Sequence, residues 1–276
     1  MASDISKKIK IPKKINTERL INFFKEKKLH DLIDFFYSSK KLSVNEVVSG
    51  NLPPYPPMLE DLYRLYQFIV LNKRTTILEF GSGWSSLIFN LALSENKKKY
   101  FSQVKSLRRN NPFELFILEN QKKYLKKTKE KLNFYKKKIG SRFLNSKVNW
   151  NYSEVYMTEI NHKFCTNYKK LPRCNPDFIY LDGPNLFTTK NKINNFTVDH
   201  KDMMPMVGDI LKFEYFLTPG TIIVTDGRTA NAQFLNENFK RNWIYKYDEK
   251  FDQNLFYLDA ECLGKWNKLQ LNFYSK

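Results

Sequence analysis

Apolar positions along the chain follow two rhythms. Up to about residue 71 they recur at helical spacing: Leu20, Phe23 and Phe24 in TERLINFFKEKK, Leu32, Ile33 and Phe36 in HDLIDFFYSS, then Leu59, Leu62, Leu65, Tyr66 and Ile69. This predicts three short helices, the first capped by Thr17. Between the second and third lies NLPPYPP (Asn51–Pro57), which a helix does not accommodate. The lysine-rich first 15 residues predict a disordered basic tail. From residue 72 short apolar runs alternate with helical segments, the pattern of a parallel α/β sheet. Thr76–Phe80 (TILEF), Glu114–Glu119 (ELFILE), Asp177–Leu181 (DFIYL) and Thr221–Thr225 (TIIVT) predict strands, with a less distinct one inside Asn149–Ile160. A helix over about Asn231–Arg241 and an antiparallel pair, Trp243–Tyr247 with Leu255–Leu258, complete the pattern. The expected division is a basic tail and helical cap over residues 1–71, then an α/β domain over 72–276.

Composition narrows the class. With 42% hydrophobic and 16% aromatic residues, the 276-residue chain has enough apolar area for a core, which excludes general disorder. No apolar run reaches the ~18–20 residues of a membrane span. The start, MASDISKKIKIPKK, lacks the apolar stretch of a secretory signal. Three cysteines are too few for a disulfide framework, so the expectation is a soluble, cytoplasmic protein.

Charge raises a second question. Lys and Arg number 47 against 28 Asp and Glu, a formal net charge of +19, which invites a nucleic-acid or other polyanionic partner. The excess is dispersed lysine, and arginine joins it only in Lys105–Arg109 (KSLRR). In the run Lys122–Lys138, helical spacing assigns Tyr124, Leu125, Leu132 and Tyr135 to an inner face and the lysines to solvent. Nucleic-acid binding is therefore not the favoured reading.

The candidate chemistry lies at the strand ends. Glu79-Phe80-Gly81-Ser82-Gly83 follows one strand and opens a helix, Glu119 ends the next, and Asp182 ends the fourth. In an open α/β sheet ligands bind beyond the carboxyl ends of strands. Three acids aimed at one crevice would be costly as a core device and suit ribose hydroxyls and a cationic centre. The nicotinamide fingerprint needs a third glycine where Ser86 stands, and the P-loop pattern is absent.

ILEFGSGWSS, FILEN, DFIYLDGPN and TPGTIIVTDGR, in this order, resemble the successive sheet motifs of Rossmann-like S-adenosylmethionine-dependent methyltransferases over roughly residues 72–260. The resemblance implies a mostly parallel seven-stranded sheet with helices on both faces, here preceded by the small helical cap. It implies S-adenosylmethionine as cofactor, with Glu79, Gly81, Ser82 and Gly83 along its methionine side, Glu119 on the ribose hydroxyls and Asp182 beside the transferred methyl group. Methyl transfer to an oxygen or nitrogen of an unidentified acceptor follows, with an anionic acceptor among those the basic chain would admit. A non-catalytic basic binding protein of the same fold, contacting RNA or another anionic polymer, is the alternative. About 30 residues separate the glycine loop from ELFILE, which predicts an insertion or extra hairpin over KKKYFSQVKSLRRNNP bearing Arg108 and Arg109 toward the acceptor. No adenine-binding acid stands out between Glu154 and Glu159.

Other constellations are weaker. NLPPY is similar to the N-P-P-Y motif of base-amine methyltransferases, but that motif follows the fourth strand, where this chain has Asp182-Gly183-Pro184-Asn185. The segment reads instead as a rigid entry bordering the substrate pocket. His162, Cys165 and Cys174 match no zinc spacing. Asp182 and Asp226 resemble the acid pair of catechol-type O-methyltransferases, yet Gly227-Arg228 follows Asp226 where that family has Asn, and no metal is expected. His200 is a candidate general base beside Asp182.

Overall fold

A computed structural model describes residues 4–38, 56–200, 204 and 206–275. The first helices, α1 (Thr17–Glu26) and α2 (His30–Ser38), are followed by α3 (Leu59–Leu71), and the apolar positions named above are the ones that turn inward. The cap of α1 is Asn16, whose side chain accepts from Arg19 N–H at 2.9 Å, one residue before the expected Thr17. The central run comprises β1 (Thr76–Phe80), α4 (Trp84–Lys105), β2 (Glu114–Glu119), α5 (Lys122–Ile139) and β3 (Lys147–Tyr152). A hairpin follows, β4 (Val155–Ile160) with β5 (Lys163–Tyr168), then β6 (Phe178–Leu181), the short α6 (Asp209–Phe213) and β7 (Ile222–Asp226). The chain ends through α7 (Thr229–Asn238), β8 (Trp243–Asp248), β9 (Gln253–Leu258) and α8 (Gly264–Ser275).

Seven strands form one sheet in the order β3-β2-β1-β6-β7-β9-β8. The first five are parallel, and β9 runs antiparallel to both of its neighbours. Chain order runs outward from β1 through β2 to β3 on one side and from β6 to β7 on the other. The reversal falls between β1 and β6, the switch point where an open α/β sheet leaves a crevice. The fold is Rossmann-like. Alternation along each strand then sorts the core. Ile77, Ile117, Tyr180 and Val224 face α3, α4 and α5, while Leu78, Leu118, Leu181 and Ile223 face α6, α7 and the β4–β5 hairpin.

Three sequence expectations change. The predicted insertion before β2 is the end of α4, a single helix of 22 residues, and the short turn that follows Lys105, with no hairpin. Arg109, expected on the acceptor side, lies at the opposite end of the strands. It donates to Asn175 O at 2.7 Å and sits 3.6 Å from Asp177, just before β6. The Asp177 carboxylate also accepts from the N–H groups of Thr75 and Thr76 (2.9–3.0 Å) and from Tyr274 Oη (2.9 Å), so this cluster ties the starts of β1 and β6 to α8.

The expected basic tail is the third. Residues 4–15 are packed rather than loose: Ile5 and Ile9 are buried, and Lys8 pairs with Asp259 at 2.7 Å. Arg64 of α3, 1% exposed, anchors the segment. It donates to Pro12 O (2.9 Å), Gln253 Oε1 (3.0 Å) and Asp248 Oδ2 (3.0 Å), with its guanidinium stacked 3.4 Å from the Phe251 ring centroid. Among the described residues no helix is long and apolar enough to cross a membrane.

Candidate functional site

The strand-end acids share one face of the sheet because their spacing is even. Glu79 lies two residues after Ile77, Glu119 two after Ile117, and Asp182 and Asp226 two after Tyr180 and Val224. All therefore face the α3–α4–α5 side, where a cavity of about 770 Å³ opens above β1 and β6. Gly81, Ser82, Gly83, Glu119 and Asp182 line it directly, while Glu79, 1% exposed, supports the loop from below.

The loop geometry follows from two glycines in contact. Gly81 adopts φ +102°, and a Cβ on Gly183 would lie 2.5 Å from Gly81 N and 2.7 Å from its Cα. The loops after β1 and β6 thus touch backbone to backbone, which only a residue without a side chain allows at 183. Gly83 differs: its φ is 173°, ordinary extended backbone, and a Cβ there would meet nothing within 4 Å. What its missing side chain leaves is open cavity.

Hydrogen bonds fix the acids. Glu79 accepts from Ser85 Oγ (2.5 Å) and Ser86 Oγ (2.7 Å), and Ser86 Oγ in turn accepts the Gly83 N–H at 3.1 Å. Burial pushes the Glu79 carboxyl up to about 8 despite these hydroxyls. Glu119 accepts from Ser82 Oγ (2.8 Å) and Gln121 N–H (2.9 Å), and burial raises it as well. A carboxylate offers about four lone-pair sites, so Glu119 retains capacity for further donors.

Asp182 is raised to about 7 by its enclosure, against the pull of Arg228, whose Nε lies 3.8 Å away. Its side chain is 55% exposed to the cavity, so water there relieves part of this shift and a ligand displacing that water restores it. Arg228 Nη2 holds Asp182 O at 2.7 Å, while its Nη1 is buried without a partner.

Several lining residues were not readable in advance. Asp61, on α3, is raised to about 7 by burial and by Asp226; Asp226 is itself raised by burial while accepting from Tyr180 Oη at 3.2 Å. Lys131, on α5, enters the cavity with its Nζ 3.6 Å from the Trp84 ring centroid. A helix residue's aim depends on what packs beside it, and no local signal marks these two among their neighbours. Pro56 and Pro57 line the cavity, as expected of the entry segment, while Asn51–Tyr55 lie outside the described residues.

The remaining candidates sit elsewhere. His200 is on the exposed segment between β6 and α6 and is not among the residues lining the cavity. His162 is 98% exposed beside Glu159, whereas burial pushes the Cys165 and Cys174 thiols up to about 12. Among the described residues no group of three or more His, Cys, Asp or Glu is placed to hold a metal ion.

No family model and no curated protein matches the chain. Among solved structures it is similar to the O-methyltransferase TomG from Streptomyces achromogenes, involved in tomaymycin synthesis and solved with S-adenosylmethionine. That match has 13% identity and a TM-score of 0.39, covering 90% of this chain and 100% of that one. At that distance it is the geometry of the cavity that bears on the ligand.

The donor set fits S-adenosylmethionine. Although the chain carries +19, its cavity wall brings Asp61, Glu119, Asp182 and Asp226 against Lys127, Lys131 and Arg228. A floor of carboxylates with raised proton affinity suits a ligand bearing fixed positive charge. The space above Gly83 suits close approach to the main chain.

Proposed function

We propose that the protein is an S-adenosylmethionine-dependent methyltransferase acting on an oxygen or nitrogen nucleophile. One observation carries this reading: at the switch point, the glycine loop and a strand-end carboxylate with spare acceptor capacity, Glu119, face the same cavity. Glu119 would hold the ribose hydroxyls, with Ser82 steadying it, and Glu79 would keep the loop of Gly81 and Gly83 beneath the methionine part. When bound, the cofactor's sulfonium supplies a methyl group already activated for nucleophilic attack.

The chain's own work is then positioning and proton handling. The wall made by Asp61, Tyr180 and Asp226 is left to orient the acceptor in line with the methyl group. Asp61 and Asp182, both raised to about 7, have proton affinities suited to taking the acceptor's proton near neutral pH. His200 has no part in this reading. An acidic acceptor wall favours a neutral or cationic acceptor over an anionic one. It also weighs against the polymer-binding alternative, as do the exposed lysines spread along α5. The three free thiols suit a reducing compartment such as the cytoplasm.

The test is a thermal-shift titration with S-adenosylhomocysteine. Ligand linkage predicts about 2.7 kcal/mol of stabilisation at one hundred times the dissociation constant. A flat titration of folded protein would remove the reading. Glu119→Ala should fold normally and bind about 10- to 100-fold more weakly, the loss of a charge-assisted hydrogen bond.

A further inference from the structure

Folding brings together two basic segments that lie far apart in the sequence. The end of α4 and the turn after it pack beside α8 through Val104, Leu107, Phe273 and Tyr274. Gln270 Nε2 donates to Leu107 O at 3.0 Å, across 163 residues of chain. Neither segment carries an acid: the sequence has no Asp or Glu from Asn96 to Phe113, nor from Cys262 to Lys276. The acids next to the first segment are already engaged, Glu95 with Lys27 and Glu114 with Lys147, and Asp177 beneath both is buried. Exposed Glu261 stands at the margin.

The outward rows of the two helices combine charge with apolar surface. Lys105 and Arg108 on one helix side and Lys265 and Lys268 on the other are exposed. Among them Phe101, Leu263, Trp266 and Leu269 are between 37% and 60% exposed. The last three recur at every third residue, a spacing that places them in one stripe. The two kinds of side chain touch: Lys105 Nζ lies 4.7 Å from the Phe101 ring centroid, and the Arg108 guanidinium 5.7 Å from that of Trp266. Single exposed apolar residues are ordinary, but a stripe of them bordered by charge of one sign marks an interaction face.

We propose that this face docks on an anionic lipid surface. Leu263, Trp266 and Leu269 enter the headgroup layer, and the ammonium and guanidinium groups around them meet lipid phosphates. Interfacial helices have this composition, and tryptophan suits the boundary between water and acyl chains. A bilayer asks only for apolar and positive groups at one level. Charge disfavours a second copy of the chain, because two acid-free faces repel each other. The leucines disfavour a nucleic acid, whose bases stack on aromatic rings. The inference stands apart from the methyltransferase reading. Tyr274 Oη ties α8 to Asp177 at 2.9 Å, at the end of the sheet away from the cavity, so a bilayer docked here leaves the cavity uncovered.

Vesicle flotation of the full chain at physiological salt tests this, comparing phosphatidylcholine vesicles with ones that contain about one third phosphatidylglycerol. The wild-type protein should favour the anionic vesicles at least about tenfold. A basic side chain near such a surface contributes roughly fivefold, so Lys265→Gln with Lys268→Gln should weaken binding about 25-fold. Lys136→Gln with Lys137→Gln removes the same charge from exposed sites on α5 and should weaken it less than about threefold. Trp266→Ser with Leu269→Ser should weaken it at least about tenfold, with thermal melting of the same samples to verify the fold. No binding, equal affinity for both vesicles, or an equal loss from the α5 pair overturns the proposal. A folded Trp266→Ser, Leu269→Ser protein that binds anionic vesicles like wild type also overturns it; if that variant does not fold, the two lysine pairs decide. Tighter binding to single-stranded RNA than to anionic vesicles, lost through the same substitutions, overturns it in favour of a nucleic-acid surface.

Discussion

Substituting alanine for Gly183 tests the junction on which the site is built. The added Cβ would lie 2.5 Å from Gly81 N, 2.7 Å from Gly81 Cα and 2.8 Å from Phe80 C. These are main-chain atoms, so no side chain can swing aside and one of the two loops must move. Gly81 has little freedom to yield, because at φ +102° its own backbone is already in a region reserved for glycine, and its N–H is held by Leu118 O at 2.8 Å. Forced overpacking of this kind costs about 1–3 kcal/mol. For a domain of this size that lowers Tm by roughly 2–12 °C. Displacing the glycine loop also pulls Ser82 from Glu119, so affinity for S-adenosylhomocysteine should fall as well. Thermal melting followed by circular dichroism, together with calorimetry on the same preparation, measures both effects. A Gly183→Ala protein with wild-type Tm and wild-type affinity would refute the contact between the loops and the role assigned to it.

Gly83→Ser should behave in the opposite way: serine is a good N-cap residue and the position is open, so Tm holds or rises, while the side chain entering the cavity weakens ligand binding about tenfold. Asp177→Ala should destabilise the fold by about 3–5 kcal/mol in denaturant titrations, because it strands the buried Arg109 and Arg74 guanidinium groups at the far end of the sheet. Glu79→Gln should flatten the pH dependence of Tm relative to wild type. With its pKa raised from 4.5 to about 8, Glu79 binds its proton more tightly in the folded protein. Its contribution to stability is therefore full below about 4.5 and declines as pH rises toward 8. Parallel wild-type and Glu79→Gln slopes between pH 5 and 8 would count against a buried, raised carboxyl there.

Strands buried on both faces announce themselves, which is why TILEF, ELFILE, DFIYL and TIIVT were legible as residues of one parallel sheet. The β4–β5 hairpin was not, because β4 is only partly buried and the buried end of β5 includes the polar residues Thr166 and Asn167, which mask the run. The length of α4 was hidden for a related reason. Its second half, KKKYFSQVK, is solvent-facing and carries too few apolar positions to reveal a helical stripe. The acids at the strand ends could be placed because a period of two fixes their face. Asp61 and Lys131 could not, since their approach to the cavity depends on how α3 and α5 pack against α4. The basic tail misled because its two anchoring isoleucines, Ile5 and Ile9, are lost among lysines.

Arg64 has a bearing on the α3 side of the cavity as a mechanical part. Its guanidinium clamps α3 to the last two strands and to the chain entering at Pro12, one turn along the helix from Asp61. The helix presenting Asp61 is thus tied into the frame of the sheet, and with it the α3 side of the cavity. On the function proposed above, that side selects acceptors by exclusion, as a rigid mould does, and a change at Asp248 or Pro12 is expected to alter which acceptors fit without touching the cavity itself.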